Sequence, residues 1–328
     1  MGQYVYDYEG FSFAMTIPDY WHKVYAGKPR EPLYGCYTLV LDWVKKMSKG
    51  RAVLDIGVNH GIFAIPCSLM GYKVVGFEPV FANFESSVLN MYNNKCRNAH
   101  LFNFALSNKN ESVEIYVPEC SDNASLSPTA AVANLANKAV AVETVQSIRF
   151  DDWILEHPEF NDIGFVKIDT QGAEYSIIEG MSNFLRGATD IYLIVEYEAH
   201  LNKMGYSYEQ LDELILSLGF KLIGDITGGD KLFYKGREKI NELTPMFFEE
   251  LPEKKEPGIL YISEEYGKTA VHLCACGCGV QSVTPIGEGE WTLTKNEGKV
   301  TLRPSIGNFS GENPYHAHYH ITENKIEW

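Results

Sequence analysis

Residues 53–61 read Val-Leu-Asp-Ile-Gly-Val-Asn-His-Gly, an apolar run that enters a turn with a glycine at each end. A second apolar run follows and ends in Gly76-Phe-Glu-Pro79. Glycines in such a turn let the backbone approach a ligand, and an acid at the carboxyl end of the next strand suits a ribose diol. The two stretches together predict a doubly wound, Rossmann-like α/β sheet that binds a nucleotide-like ligand.

The turn from Gly57 to Gly61 favours one ligand over another. It lacks the third glycine of GxGxxG, the motif that places a pyrophosphate at a helix N-terminus. S-adenosylmethionine carries no phosphate and fits the turn better. An NAD-dependent oxidoreductase built on the same sheet stays as an alternative.

A third stretch, residues 164–174, reads Gly-Phe-Val-Lys-Ile-Asp-Thr-Gln-Gly-Ala-Glu. It is an apolar strand that ends in Asp169, followed by apolar residues at helical spacing. Open α/β sheets bind ligands at the carboxyl ends of their strands. We therefore expect residues 55–61, Glu78 and residues 169–174 to meet in one crevice.

Five motifs occur in order: LDIGxNxG, GFEP, Asn103-Phe-Ala-Leu-Ser107, KIDTQGAE and Ile194-Val-Glu196. Together they resemble the FkbM family of S-adenosylmethionine-dependent O-methyltransferases over about residues 25–235. The resemblance implies a class I methyltransferase fold and methylation of a hydroxyl on a sugar, glycan or natural product. Val58, His60 and Gln171 depart from the family pattern, and Gln171 removes a carboxylate that is common there.

Methyl transfer to oxygen requires alignment of donor and acceptor and removal of the hydroxyl proton. Asp169 is the preferred base, although it could instead fix its loop or pair with Lys167. Glu196 and His200 are the alternative bases. The residues expected to bind the cofactor are Asp55, Gly57, Asn59 and Gly61 at the methionine end, Glu78 at the ribose and Asn103 near the adenine.

Composition limits the classes of partner. The chain has 328 residues, 45% of them hydrophobic, which is enough for one large core and a smaller second one. A net charge of −15 disfavours nucleic acid, whose phosphates need clustered cations, and leaves a small-molecule or glycan acceptor. With no leader-like N-terminus and no run of about eighteen apolar residues, we expect a soluble, cytoplasmic protein without a membrane partner.

The pattern of the first 235 residues predicts a mainly parallel sheet with helices between several strands. Ser207 and Gln210 form a predicted capping box that begins a helix, and Gly219 would end it. The aromatic residues between Phe11 and Trp21 are interpreted as core residues rather than a sugar-binding surface. Strands are expected near 52–57, 73–77, 99–104, 112–117, 163–168, 191–197, 219–224 and 231–235.

A change to Glu, Lys and Pro marks residues 236–257 as a linker between a methyltransferase domain, residues 1–235, and a small all-β domain, residues 258–328. The small domain contains His-Leu-Cys-Ala-Cys-Gly-Cys-Gly at 272–279 and three later histidines. Thiolates and imidazoles in a core this small suggest a structural Zn²⁺ site, provided that the chain curls at its glycines. Unligated cysteines are the alternative. The expected ligands are Cys274, Cys276, Cys278, His316 and His318.

The segments HLCACGCG, Leu302-Arg-Pro-Ser-Ile-Gly-Asn308 and Pro314-Tyr-His-Ala-His-Tyr-His-Ile321 resemble an uncharacterised family of small domains with the pattern HLCxCGCG, PSIGN and PCxSHYxI. Tyr315 replaces the last cysteine of that pattern, whereas His318 matches its histidine. The resemblance implies no activity. We expect a structural domain or one that recruits a protein partner, with a hydrolytic metal site as the lesser alternative. For the whole chain, a non-catalytic binding protein with a methyltransferase-like fold is a further alternative to methyl transfer.

Overall fold

The computed structural model describes residues 2–18, 30–33, 35–47, 50–118, 124–131, 140–197, 200–227, 229–237, 239–263, 268–277, 280–310 and 313–328. The chain divides into two compact units, Met1–Gly236 and Arg237–Trp328. None of the helices in these ranges is long and apolar enough to span a membrane.

The described part of the first unit alternates strands with helices, as predicted. Its strands are β1 (Gly2–Tyr8), β2 (Phe11–Ile17), β3 (Arg30–Pro32), β4 (Ala52–Ile56), β5 (Val74–Phe77), β6 (Ala99–Phe102), β7 (Ala105–Leu106), β8 (Glu111–Pro118), β9 (Val140–Ile148), β10 (Ile163–Ile168), β11 (Ile191–Glu196), β12 (Lys221–Thr227) and β13 (Asp230–Lys235). Its helices are α1 (Gly35–Val44), α2 (Ala64–Leu69), α3 (Phe81–Asn93), α4 (Pro128–Ala131), α5 (Phe150–Glu156), α6 (Glu174–Gly180), α7 (Ser182–Gly187), α8 (His200–Lys203) and α9 (Tyr208–Ser217), with a 3₁₀ turn at Pro158–Phe160.

The central sheet has seven strands in the order β12-β13-β11-β10-β4-β5-β6. Its strands are parallel except for β13, which runs antiparallel to both β11 and β12. All five residues of β4 are buried, because helices and the β1-β2 hairpin cover the two faces of the sheet. The chain therefore has the class I methyltransferase fold that the resemblance implies. The direction in which the strands are added reverses between β4 and β10, where such sheets bind ligands.

Two local predictions in the first unit can be checked directly. Ser207 Oγ accepts a hydrogen bond from Gln210 N while Gln210 Oε1 accepts one from Ser207 N, which confirms the capping box. Gly219 has a φ of +91° just beyond that helix. The aromatic N-terminal segment contains a β-hairpin, β1-β2, that was not among the expected strands. Phe13 is a core residue as expected, whereas Tyr20 and Trp21 lie outside the described residues.

The second unit is all-β in its described part, as predicted. Its strands form two four-stranded sheets, β14-β15-β16-β17 and β18-β19-β20-β21. The predicted linker is too long, because it contains a strand that pairs in parallel with β15, and the units meet at residues 236 and 237. The strands are β14 (Thr244–Phe247), β15 (Ile259–Ser263), β16 (Thr269–Leu273), β17 (Gln281–Pro285), β18 (Thr292–Asn296), β19 (Lys299–Ser310), β20 (Asn313–Thr322) and β21 (Lys325–Glu327).

Candidate functional site

A cavity lies at the carboxyl ends of β4, β5 and β10, where the strand order reverses. Two segments outside the sheet contribute to its walls, one from α1 and one from the β8-β9 region. The three stretches that the sequence analysis expected to converge do meet here. Polar and apolar residues that line the cavity include Tyr37, Asp55, Gly57, Asn59, Phe63, Glu78, Asn83, Ile115, Lys167, Asp169, Thr170 and Gln171.

The carboxylate of Glu78 is buried and held by two backbone donors. Its Oε2 accepts a hydrogen bond from Asn59 N at 2.8 Å, and its Oε1 accepts one from Val80 N at 3.0 Å. Asn59 adopts a left-handed backbone with a φ of +52°, between Gly57 at +86° and Gly61 at +95°. The turn after β4 thus fixes the acid after β5.

Gly57 is required by a close approach of two loops. A Cβ atom on Gly57 would lie 1.9 Å from the carbonyl oxygen of Asp169. The backbone N of Asp169 also donates to the carbonyl of Ile56 at 3.1 Å. The glycine therefore lets the carboxyl ends of β4 and β10 close together beneath the cavity.

Lys167 lies between two carboxylates. Its Nζ is 3.6 Å from Asp55 Oδ1 and 3.1 Å from Asp169 Oδ2. Burial raises the pKa of Asp55 to about 6, even though the nearby ammonium lowers it. Burial disfavours the charge of Lys167, yet Asp169 and Asp55 raise its pKa overall. Burial also opposes ionisation of Asp169, but Lys167 outweighs it and lowers the pKa of that group.

Gln171 joins two of the predicted bases. Its Nε2 donates to Asp169 Oδ1 at 3.3 Å and to both oxygens of Glu196 at 3.1 and 3.0 Å. Its backbone is left-handed, with a φ of +58°, and its carbonyl accepts a hydrogen bond from Ser125 Oγ at 2.8 Å. The structure therefore brings Asp169 and Glu196 together. Neither Glu196 nor His200 lines the cavity, and burial lowers the pKa of His200.

Two further polar residues hold the loops of the site. Asn103, predicted near the adenine, donates from Nδ2 to the carbonyls of Glu78 and Pro79 at 2.8 and 3.0 Å. Glu174 Oε1 accepts hydrogen bonds from the Thr170 backbone and hydroxyl and from Gly172 N. Asn103 does not line the cavity, so its observed contact is with the loop that carries Glu78.

From the sequence, Lys167 is predicted only as a possible partner for Asp169. Its second partner, Asp55, is its direct neighbour in the β4-β10 pairing, so both side chains leave the same face of the sheet. A signal existed in the sequence, because each of two adjacent apolar strands carries a charged residue at its end. Only the pairing register shows that these charges meet.

In the second unit, the predicted zinc ligands do not form one cluster within the described residues. Cys274 and Cys276 lie with their sulfur atoms 3.4 Å apart in the core. Cys278 and the side chain of His316 lie outside the described residues. Where the structure describes side chains, no group of three or more His, Cys, Asp or Glu residues is placed to hold a metal ion.

The prediction that His318 joins the cysteines is corrected by the alternation of β20. Tyr319 is buried and its OH contacts His272 Nε2 at 2.8 Å, whereas His318 is exposed and faces the opposite side of the strand. His318 Nε2 lies 2.7 Å from Ser305 Oγ on β19. Ser305 belongs to the Pro-Ser-Ile-Gly-Asn segment, which by itself predicts no role for the serine.

Two family models match the chain. Residues 55–222 match the model described as the methyltransferase FkbM domain. Residues 247–328 match the model described as a bacterial ubiquitination-like system serine protease, BubE. No curated protein sequence matches the chain.

Solved structures that resemble the chain include several methyltransferases. A putative methyltransferase, yhhF, from Escherichia coli is 13% identical, covers 72% of this chain and 99% of its own, and has a TM-score of 0.39. A TehB-like SAM-dependent methyltransferase from Corynebacterium glutamicum is 12% identical, with 66% and 94% covered and a TM-score of 0.35. A precorrin-6y C5,15-methyltransferase from Geobacter metallireducens is 11% identical, with 61% and 86% covered and a TM-score of 0.36.

Proposed function

This chain belongs to the FkbM methyltransferase family, and from that premise we propose that it transfers the methyl group of S-adenosylmethionine to a hydroxyl oxygen of a small-molecule or glycan acceptor. The observation that carries the proposal is the single cavity in which Asp55, Glu78 and Asp169 meet at the strand reversal. Its acidic lining suits a cofactor with a positive sulfonium and disfavours a pyrophosphate.

The cofactor would lie across the ends of β4 and β5. Glu78 is oriented by Asn59 N and Val80 N, and its carboxylate would accept hydrogen bonds from the ribose hydroxyls. Asp55 faces the cavity at the methionine end, together with the Gly57–Gly61 turn. Asn103 would act indirectly by holding the carbonyls of residues 78 and 79.

Methyl transfer would proceed as an in-line displacement. The acceptor oxygen attacks the methyl carbon, the carbon–sulfur bond breaks with its electron pair passing to sulfur, and the hydroxyl proton passes to a carboxylate. Asp169 lines the cavity and is the first candidate for that proton, with Glu196 next to it. Because Lys167 stabilises Asp169 as an anion, Asp169 would be a weak base that takes the proton as the new bond forms.

Ligand-dependent thermal stability tests this proposal against its alternatives. S-adenosylmethionine and S-adenosylhomocysteine should each raise the melting temperature as their concentration rises, since ligand at 100 times Kd stabilises by about 2.7 kcal/mol. NAD should leave it unchanged. A shift with NAD alone would support an oxidoreductase. Binding of S-adenosylmethionine without methylation of any of a panel of glycosides and phenols would support a binding protein.

A second candidate function belongs to residues 237–328. Ser305 Oγ and His318 Nε2 are 2.7 Å apart, the spacing of a nucleophile and its general base, and His318 is exposed to solvent. Together with the match to a serine protease model, this pair supports an acyl-transfer hydrolase that acts on a peptide or protein partner. The serine oxygen would attack a carbonyl carbon while its proton passes to His318, and His318 would return that proton to the leaving amine as the carbon–nitrogen bond breaks. Water would then attack the acyl-serine ester, release the acid and restore the serine.

A fluorophosphonate probe tests the serine directly. The full chain should be labelled at Ser305, and Ser305→Ala should abolish labelling while Ser282→Ala, a buried serine of the same unit, should not. Labelling that persists in Ser305→Ala would reject this site. Elemental analysis of the same preparation tests the predicted zinc, and hydrolysis that stops on chelation would favour a metal site instead.

A further inference from the structure

Lys167 is a nearly buried cation that the mechanism above does not use for binding. Its side chain is 12% exposed and lies between Asp55 on β4 and Asp169 at the end of its own strand. The ring of Phe63 lies 5.9 Å from its ammonium. Among the described residues that line the cavity, it is the only lysine or arginine. Its position is therefore set by two carboxylates and an aromatic ring.

Asp55 is the more unusual member of this group. Its side chain is 1% exposed, and neither of its oxygens accepts a hydrogen bond from a described residue. A carboxylate buried without hydrogen-bond donors is strongly disfavoured as an anion. The nearby ammonium is what offsets that penalty, because it is the opposite charge closest to Asp55 in the described part of the cavity.

Other groups around this pair add mostly negative charge. Asp169 lies on the far side of Lys167, and Glu196 on β11 also attracts the ammonium. Cys67 on α2 is buried beside Asp55, and burial and that carboxylate raise the pKa of its thiol, so it adds no charge at neutral pH. Glu78 lines the cavity at the end of β5. Without Lys167 the cavity would hold several carboxylates and no compensating cation from the described residues.

We propose that Lys167 is a positioning residue of the cofactor site: its ammonium holds Asp55 as a carboxylate facing the cavity, where Asp55 receives the α-ammonium group of S-adenosylmethionine. This inference rests on the proposed function. It predicts that the cofactor binds only when Asp55 is deprotonated. It also predicts that Lys167 sets the pH at which binding is lost.

The direction of the pH effect follows because only the carboxylate form of Asp55 would bind the cofactor. Because the pKa of Asp55 is about 6, cofactor affinity should be full above that pH and fall as the pH drops through it. Removing an opposite charge this close raises a carboxyl pKa by about 1 to 3 units. In Lys167→Met the loss of affinity should therefore begin at a correspondingly higher pH. Lys167→Arg keeps the charge and should keep the wild-type midpoint.

The experiment is calorimetric titration of S-adenosylmethionine into the full chain at pH values from 5 to 9. Wild type and Lys235→Met should share a midpoint near pH 6, since Lys235 is a partly buried lysine at the opposite edge of the sheet, bonded to the carbonyls of Leu185 and Arg186. Lys167→Met should shift the midpoint up by at least one pH unit. The variants are compared at each pH, because the α-ammonium of the cofactor itself loses its proton at about pH 8 and weakens binding to all of them above that pH. Asp55→Asn should bind weakly at every pH.

Several outcomes would overturn the inference. One is a Lys167→Met curve with the wild-type midpoint but uniformly lower affinity, which is the result of a purely structural role. Another is an Asp55→Asn variant that keeps the wild-type dependence on pH. If Lys167→Met does not fold, Lys167→Gln and Asp55→Asn supply the same comparison. Failure of wild type to bind S-adenosylmethionine at any pH would instead reject the proposed function.

Discussion

Gly57→Ala should be the most damaging single-methyl change in the first unit, for two separable reasons. The residue has a left-handed φ of +86°, which an L-residue adopts at a cost of about 1–2 kcal/mol. The added Cβ would also lie 1.9 Å from the Asp169 carbonyl oxygen, and overpacking of this kind costs about 1–3 kcal/mol. Together we expect a loss of about 2–5 kcal/mol in the free energy of unfolding.

Substitutions at two other glycines separate the cost of the left-handed backbone from the cost of the steric clash. Gly71 has a φ of +93° but nothing within 4 Å of an added Cβ, so Gly71→Ala carries the backbone strain alone. Gly180 lacks a positive φ, but its added Cβ would lie 1.9 Å from the Ser107 carbonyl oxygen, so Gly180→Ala carries a clash alone. The losses in these two variants should sum to about the loss in Gly57→Ala.

Urea denaturation of the three variants measures the loss in the free energy of unfolding. Calorimetric titration measures the affinity of each variant for S-adenosylmethionine. Only Gly57→Ala should weaken cofactor binding at a pH and temperature where all three are folded, because only that change displaces Asp169. If Gly57→Ala loses no more stability than Gly71→Ala, the contact between the β4 and β10 loops is not tight. The account of why a glycine occupies that position would then be wrong.

Three further changes test single groups of the site. Glu78→Gln should lower affinity for S-adenosylmethionine about 10- to 100-fold in calorimetry without loss of folding, since a hydrogen bond to a charged group is worth about 1.5–3 kcal/mol; unchanged affinity would reject its role at the ribose. Asp169→Asn should leave cofactor affinity within about threefold but reduce release of S-adenosylhomocysteine in the presence of an acceptor; the reverse pattern would make Asp169 a binding residue. Asp55→Asn should raise the free energy of unfolding in urea at pH 8, without cofactor, by up to about 3 kcal/mol. The folded-state pKa of Asp55 is raised to about 6, so the wild type loses stability as the pH rises through that value. The difference in stability between Asp55→Asn and wild type should therefore be larger at pH 8 than at pH 4, and an equal difference at the two pH values would contradict this.

The sequence predicts the sheet of the first unit well because burial on both faces leaves continuous apolar runs. Strands β4, β5, β10 and β11 fall within a residue or two of the expected ranges. The β1-β2 hairpin is not predicted, although β2 alternates buried and partly buried residues, with Phe13, Met15 and Ile17 on one face. Aromatic content indicates core residues but no element type, whereas the period of two in this segment is the signal for a strand.

The site itself was predicted at the level of stretches rather than contacts. Because parallel strands end at one edge of a sheet, the sequence predicts that Asp55, Glu78 and Asp169 lie in the same cavity. The pairing of Ser305 with His318 could not be predicted in this way, because it depends on the register of β19 against β20. That register shifts between Leu302 and Ile306 and again between Asn308 and Ser310. The strand partner of His318 is Gly307, so the contact between Ser305 and His318 is a diagonal one across the two strands.

Strand β14 decides where the second unit can be separated from the first. It covers one edge of β15, whose residues 260–262 are buried, and the segment before it is tied in by bonds from Ile240 N to Ala275 O and from Leu243 N to Asn324 O. A fragment that begins at Gly258 would lose this cover and present a bare apolar edge, which is a template for intermolecular pairing and aggregation. A fragment that begins at Arg237 keeps the edge paired. Recombination that transfers this unit to another protein would therefore have to carry the twenty or so residues before Gly258 with it.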